Sequence, residues 1–548
     1  MRGYVGLVLG LALGLTACGP NNNTTKNQQS GGDIRPMVSA SGETTLRRAN
    51  SAEPDSLDPH YTTSQQEDNI VGDILLGLTT NGPDARPIPG AAERWETSAD
   101  GKVWTFHLRD HQWSDGTPVT AQDFIYSWRR ILDPKTAAAY ASILYVFKNA
   151  EAVNAGKMPV EKLGVRAIDD KTIEITLENP AAYLPELMMH MTAFPVPRQA
   201  IEAKGKEWSK PGNFVGNGPY TLAEWIPNDH ITLKKNPKFY DAANVRIGNV
   251  IYYPTSIPEA ALKRFRAGEL DVLDGVPATQ IAWVKANLGG MFKVEPFLAT
   301  GFYDINTSKK PLDDVRIRQA LNLTYDRDTI AYKLLPYGEP PSYSVVPPGV
   351  ANYPQGVSLD FKDLPYQDRV KRAQDLMRQA GYGPDKHLRL EFSTSPSDDA
   401  RRVAAAAQQM WAAAYIDVEI RQLESKSYSA NLSTGNYDVA AYAWLGDFND
   451  ARNFLFLFLS NNDLNYARYK NPAFDALIRQ SDQEKDLTKR GTILAQAEAL
   501  MLKDSPAIPT RFQVTTNVVR PYIRGWVTNI MDKNRTRWLS IDTSAPTQ

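Results

Sequence analysis

The chain has 548 residues, more than one ordinary core holds, so two or three domains are expected. Apolar residues make up 42% and charged residues 22%, the balance of a folded soluble protein. A formal net charge of −1, with no block of like charge, excludes the electrostatic footprint of a nucleic-acid binder.

At the N-terminus, Met1 and Arg2 precede an apolar run over residues 4–15. This is the size of a signal-peptide h-region and too short to span a bilayer. The run ends in Leu15-Thr16-Ala17-Cys18, which resembles the bacterial lipobox. Residues 1–17 are therefore expected to be a signal peptide, with Cys18 the lipidated first residue of the mature chain. An ordinary cleaved signal followed by a chance cysteine is the alternative. Cys18 is the only cysteine, so stability is expected to come from packing without a disulfide. Residues 18–40 are rich in Asn, Gln, Ser and Gly without hydrophobic period and read as a flexible lipoprotein tether. Some twenty such residues span roughly 25 Å root-mean-square.

The body reads as mixed α/β. In "KVWTFHLR", Trp104, Phe106 and Leu108 alternate with polar residues as a half-buried strand. The turn "WSDGTP" follows, and Thr120 with Asp123 opens a helix near a capping box. Phe124, Trp128, Ile131 and Leu132 form its buried stripe, and Asp133-Pro134 ends it. Further on, Val370, Ala373, Leu376, Met377 and Ala380 mark one helical face, with Gly381 as C-terminal cap. Leu388, Leu390 and Phe392 then alternate as a strand, residues 400–414 read as an alanine-rich helix, and Ile416, Val418 and Ile420 alternate again. Strand, helix and strand at this spacing predict a βαβ unit in a mostly parallel sheet. The stretch "YDVAAYAWLGDFNDARNF" (437–454) begins as a buried strand, breaks at Gly446 and places Asp447 beside Phe448. Asp447 could be a turn cap, a catalytic acid or the partner of a ligand's positive charge.

Motifs of chemistry are mostly missing. The chain has no G-x-S-x-G, no phosphate-binding G-x-x-x-x-G-K-[ST], no H-E-x-x-H and no C-x-x-C. Gly216-Asn217-Gly218 reads as a turn, and His107 with His111 as surface polar residues rather than metal ligands. Asp169-Asp170 and Asp313-Asp314 fit turns and helix starts. No catalytic residue, metal or cofactor is expected. An extracytoplasmic multi-domain protein without a catalytic set points to ligand capture.

The segments "SLDPH" (56–60), "PGAAERW" (89–95), "VWTFHLR" (103–109), "WSDGTPVTAQDFIYSW" (113–128) and "GNGPYTLAEW" (216–225) resemble the oligopeptide-binding proteins of ABC importers, extracellular solute-binding protein family 5. So do "RFRAGELDV" (264–272), "DVRIRQALN" (314–322) and "AGYGPDK" (380–386), in family order. The resemblance implies the two-lobed periplasmic binding protein fold of type II with an extra domain, its mixed sheets flanked by helices. Domain I would combine residues 41–76, 195–300 and 508–548; domain II would be the insert 77–194; domain III would cover 301–507. The function implied is capture of oligopeptides between the lobes and delivery to an ABC transporter permease, by a monomer held to the envelope through its lipid anchor.

In such proteins the peptide backbone pairs with short segments of both lobes, and these align with Thr63, Ser64 and Gln65 and with Ala443, Trp444 and Leu445. Backbone pairing ignores side chains, so one site serves many sequences. Asp447 aligns with the carboxylate that meets the peptide α-ammonium. The position agrees with the residues themselves, because ligands of open α/β sheets bind beyond the carboxyl ends of strands. Tyr140 and Phe302 are further cleft aromatics. The cations that receive a short peptide's C-terminus align with Leu335, Ala400 and Ala441, a pocket tryptophan with Ser425, and a disulfide with Ala299 and Leu445. A binder of cell-wall peptides or another amine-bearing solute, a peptide hydrolase and a pure interaction protein are the alternatives.

Overall fold

The computed structural model describes residues 34–545, so Cys18 and the start of the expected tether lie outside the described residues. Met37–Val38, inside the stretch expected to be tether, is instead a short strand bonded to Thr44 and Thr45. No helix of the described residues is long and apolar enough to cross a membrane.

In chain order the strands that build the two main sheets are β1 (Thr44–Asn50), β2 (Ala92–Thr97), β3 (Val103–Leu108), β4 (Val165–Asp169), β5 (Thr172–Thr176), β6 (Tyr220–Ile226) and β7 (His230–Lys235). They continue as β8 (Asn249–Pro254), β9 (Val272–Asp274), β10 (Phe292–Ile305), β11 (Leu388–Thr394), β12 (Ile416–Gln422), β13 (Val439–Leu445) and β14 (Ala507–Val519). The four strands β2-β3-β5-β4 form one antiparallel sheet. The large sheet runs β12-β11-β13-β10-β14-β9-β1-β8-β7-β6.

The large sheet is mixed, as the fold resemblance implies, whereas the βαβ unit read by itself pointed to a mostly parallel one. Pairing is parallel in β12-β11-β13 and in β9-β1-β8, and antiparallel elsewhere. The βαβ unit itself is present. β11 and β12 pair in parallel from Leu388↔Ile416 onward, joined by a helix over Asp398–Ala412. One local unit does not fix the direction of strands that arrive from hundreds of residues away.

Local chemistry explains the elements. β3 buries Trp104, Phe106 and Leu108 on one face. The helix Ala121–Leu132 starts at Thr120, whose backbone N–H donates to the Asp123 carboxylate at 2.8 Å. It buries Phe124, Trp128, Ile131 and Leu132, with Trp128 edge-on to Phe147 at 5.3 Å. The helix Tyr366–Gln379 buries Ala373 and Met377, and Gly381 follows its cap with φ +90°.

Two large cores result. One joins the four-stranded sheet to β1, β6, β7 and β8. The other surrounds β10, β11 and β13. Strands β10 and β14, of 14 and 13 residues, run through both halves of the sheet. Their register shifts between Pro296 and Thr300 and again between Gly301 and Phe302. These interruptions fall on the strands shared by the two halves of the sheet.

Candidate functional site

A cavity of about 350 Å³ opens where the two cores face each other. Its walls come from the first turn of the helix Gln65–Ile74, from the region around Tyr140 and His190, from β10, from β13 with its following turn, and from the C-terminal segment. Thr63, Ser64, Gln65, Tyr140, Ala443, Trp444, Leu445 and Asp447 all line it.

Phe302 does not. It is 1% exposed and lies behind the wall, edge-on to Tyr442 at 5.5 Å and 5.9 Å from Phe458. The aromatic that reaches the cavity at this register is its cross-strand partner Tyr442. A large apolar residue at the centre of the sheet gains more from the core than from the cleft.

β13 presents an open edge. On one side every residue from Val439 to Leu445 pairs with β10. On the other side only Val439 and Ala440 pair, with β11. Residues 442–445 therefore carry unpaired backbone groups along the cavity, the template that β-strand addition uses. Trp444 is fixed by a bond from its ring N–H to Asn453 at 3.0 Å and an edge contact with Phe456 at 5.5 Å. At the facing wall the amides of Thr63 and Ser64 already donate to Glu67, at 2.8 and 3.0 Å, as part of a capping box. These amides are therefore already engaged, and the Ser64 carbonyl accepts the Asp68 N–H at 3.1 Å.

Gly446 ends the strand. Its N–H donates to the Leu298 carbonyl at 2.7 Å, and a Cβ there would lie 2.6 Å from the Leu298 side chain. Only glycine permits that approach, and it turns the chain so that Asp447 faces the cavity. The Asp447 carboxylate accepts from the Tyr140 hydroxyl of the opposite core and takes no backbone N–H among the described residues. The cap of this turn is Asp450, which accepts the Arg452 amide at 2.8 Å and pairs with the Arg490 guanidinium. Burial pushes the Asp447 carboxyl up to about 6, against the Tyr140 bond and the charge of Lys533. Burial and that same carboxylate push the Tyr140 phenol upward.

Five charged or titratable side chains escaped the sequence reading: Asp68, Glu186, His190, Lys533 and Arg535. Burial alone would raise the Asp68 carboxyl, but Arg535 and Lys533 hold it well below the usual carboxylate range. Arg535 reaches it at 2.9 Å, and Lys533 donates to it directly. Among the described residues the Glu186 carboxyl accepts no hydrogen bond, and one of its oxygens is sealed from solvent. Burial, then the nearby Asp450 charge, push it up to about 8. His190, with Nδ1 2.8 Å from the Thr192 hydroxyl, is pushed down to about 4 by burial and stays neutral. No spacing signal links these residues, because Lys533 and Arg535 lie hundreds of positions from Asp68.

Gln65 also lines a second cavity of about 510 Å³ with Asp274, Asp532, Glu339 and Arg48 on its walls. Burial pushes Asp274 up to about 6, and burial with the Asp274 charge pushes Asp532 up to about 7. Arg48 is 5% exposed and donates to the Asn534 carbonyl at 2.9 Å, while Glu339 pairs with Arg511 at 2.7 Å. Leu335 belongs to the core, Ala400 lies in the first turn of its helix and Ser425 opens another. Arg401, Arg402 and Arg452 pair with Asp398, Asp399 and Asp482. Ala299 and Leu445 are direct cross-strand partners. His107 meets Glu96 at 3.2 Å and His111 the Arg109 carbonyl at 3.2 Å. Among the described residues no group of three ligating side chains could hold a metal.

Residues 86–466 match the model of the bacterial extracellular solute-binding proteins, family 5. The chain is 38% identical over 502 residues to the periplasmic oligopeptide-binding protein OppA of Salmonella typhimurium, covering 90% of this chain and 92% of that one. It superposes on the unliganded open form of the periplasmic murein tripeptide-binding protein MppA with a TM-score of 0.83 at 33% identity, over 92% and 98% of the two chains. On Haemophilus influenzae OppA in complex with the peptide RPPGFSPFR the TM-score is 0.74 at 36% identity, over 92% and 100%.

Proposed function

We propose, for a chain that belongs to family 5 of the bacterial extracellular solute-binding proteins, that its ligand is an oligopeptide held by its backbone on β13 and by its α-ammonium on Asp447. The protein hands that peptide to the permease of an ABC importer. The observation that carries this reading is the open edge of β13 running into an uncompensated buried carboxylate. An extended peptide supplies both missing partners: main-chain groups for the edge and one cation for its end. Tyr140 spans from the facing core to the same carboxylate, so the ammonium would be enclosed between the two cores. Side chains project into wet space on either side, where water adapts to each. Native mass spectrometry of protein purified from its own host, with fragmentation of whatever dissociates, tests this. Peptides with free N-termini are expected; a ligand lacking any amine sinks the reading.

The finer parts go with it. Domain I is proposed to combine residues 41–76, 195–300 and 508–548, domain II to be 77–194 and domain III to be 301–507. The protein acts as a monomer in the periplasm, anchored through a lipid on Cys18 by the tether. Cys18→Ser should abolish incorporation of labelled fatty acid and leave peptide affinity unchanged; label retained on the variant refutes the anchor.

A further inference from the structure

Glu186 is the group in the cavity that no contact explains. It lies on the short helix Leu184–Leu187, whose Leu184 and Leu187 are buried and fix its position on the wall. Its carboxyl has no hydrogen-bond partner among the described residues, although one oxygen is closed to solvent. Buried acceptors are nearly always satisfied, so a bare one calls for a partner that arrives from outside.

The charges around it leave no internal partner. Lys533 and Arg535 are both engaged by Asp68. Arg490 is engaged by Asp450, and Arg452 by Asp482. Arg86 is exposed and lies 3.7 Å from Asp84. His190 is neutral. Asp447 has only the Tyr140 hydroxyl. Among the described residues the cavity therefore holds two acidic side chains without an ion-pair partner, one contributed by each core, while a peptide's N-terminus brings a single positive charge.

Resting on the peptide reading above, we propose that Glu186 receives a second positive charge carried by the ligand's first residue. The cavity then selects peptides that begin with a basic side chain, such as Lys, Arg or ornithine, and Glu186 is the residue that sets the preference. A free diamine presents the same pair of charges, and the test separates the two sources. Isothermal calorimetry near neutral pH, where the raised Glu186 carboxyl gives up its proton as the ammonium arrives, compares Lys-Ala-Ala, norleucine-Ala-Ala and cadaverine. Norleucine keeps the apolar stem of lysine and drops its ammonium. Lys-Ala-Ala should bind the unaltered protein about 30-fold or more tightly than norleucine-Ala-Ala, the ratio expected when one member of a desolvated charge pair is missing. In Glu186→Gln that ratio should fall towards one while the norleucine peptide keeps its affinity, a pattern that general damage to the fold would not give. Equal binding of both peptides by the unaltered protein overturns the inference and leaves the peptide reading standing. Cadaverine binding as tightly as Lys-Ala-Ala overturns the assignment to peptides, and binding of none of the three overturns both.

Discussion

Asp68 and Asp447 line one cavity in opposite electrostatic states. Asp68 is held by Lys533 and Arg535, and its carboxyl sits well below the usual range. Asp447 has a phenol and, among the described residues, no ion-pair partner, and burial pushes it up to about 6. Both are aspartates on the wall of one cavity, so residue type and location do not separate them. Neighbours do. A buried charge with its counter-ions already in place belongs to the architecture, whereas one without them is poised for a ligand.

The comparison breaks most visibly at Asp68. Asp68→Ala leaves Lys533 and Arg535 buried and uncompensated, so the ligand-free protein should lose about 3–5 kcal/mol in denaturant unfolding. A loss below about 1 kcal/mol would show that water or rearrangement compensates the pair, and the contrast would collapse.

Asp447→Ala should behave in the reverse way. The ligand-free melting temperature should hold or rise, because an uncompensated buried charge is removed. Peptide affinity should fall by about 2–5 kcal/mol, roughly 30-fold to several-thousand-fold. N-acetylation of the peptide should cost a similar amount, and the two losses should not add, since both delete one interaction. Asp447→Asn keeps shape and an acceptor but should still weaken binding. If instead Asp447→Ala lowers the melting temperature strongly and spares affinity, Asp447 is structural.

Proton linkage sharpens the same contrast. The folded pKa of Asp447 is raised, so this carboxyl favours the ligand-free fold at low pH and loses that contribution as pH rises through about 6. Binding has the opposite sign, because the ammonium needs the carboxylate. Affinity for a peptide without basic side chains should be full above about pH 6 and fall by up to about tenfold per unit below it. Among the groups around the cavity, Asp68 stays ionised through this range, His190 stays neutral down to about 4, and Tyr140 and Glu186, the latter pushed up to about 8, keep their protons. Calorimetry across the range checks it; a flat profile removes Asp447 from the binding step.

The smallest effect is expected at the other end of the ligand. Leu335 is core, Ala400 and Ala441 carry no charge, and Arg401, Arg402 and Arg452 already have carboxylate partners. The second cavity offers Asp274, Asp532 and Glu339 beside one committed Arg48. Amidating a bound peptide's C-terminus should change affinity by less than about 1 kcal/mol. A large loss in calorimetry of acid and amide forms would mean that closure delivers a cation to that end.

Periodicity and turn chemistry were legible in the chain itself. Trp104, Phe106 and Leu108 had to share a face, Thr120 with Asp123 had to start a helix, and Gly446 had to end the strand that carries Asp447. These depend on atoms within a few residues of one another, and the chain states them directly. Which cation answers which carboxylate depends on strands and loops brought together by tertiary folding. Nothing near Asp68 announces Arg535, nothing near Glu186 announces that its carboxylate is left bare, and Phe302 looks as free for the cleft as Tyr442 until packing puts it behind the wall. The mixed direction of the large sheet has the same origin, since local βαβ rules hold within β11–β12 while long-range pairing sets the rest. The sequence by itself determined the elements and the residue at the end of β13. Tertiary structure alone decided which buried charges are satisfied, because that balance is summed over neighbours the chain places hundreds of residues apart.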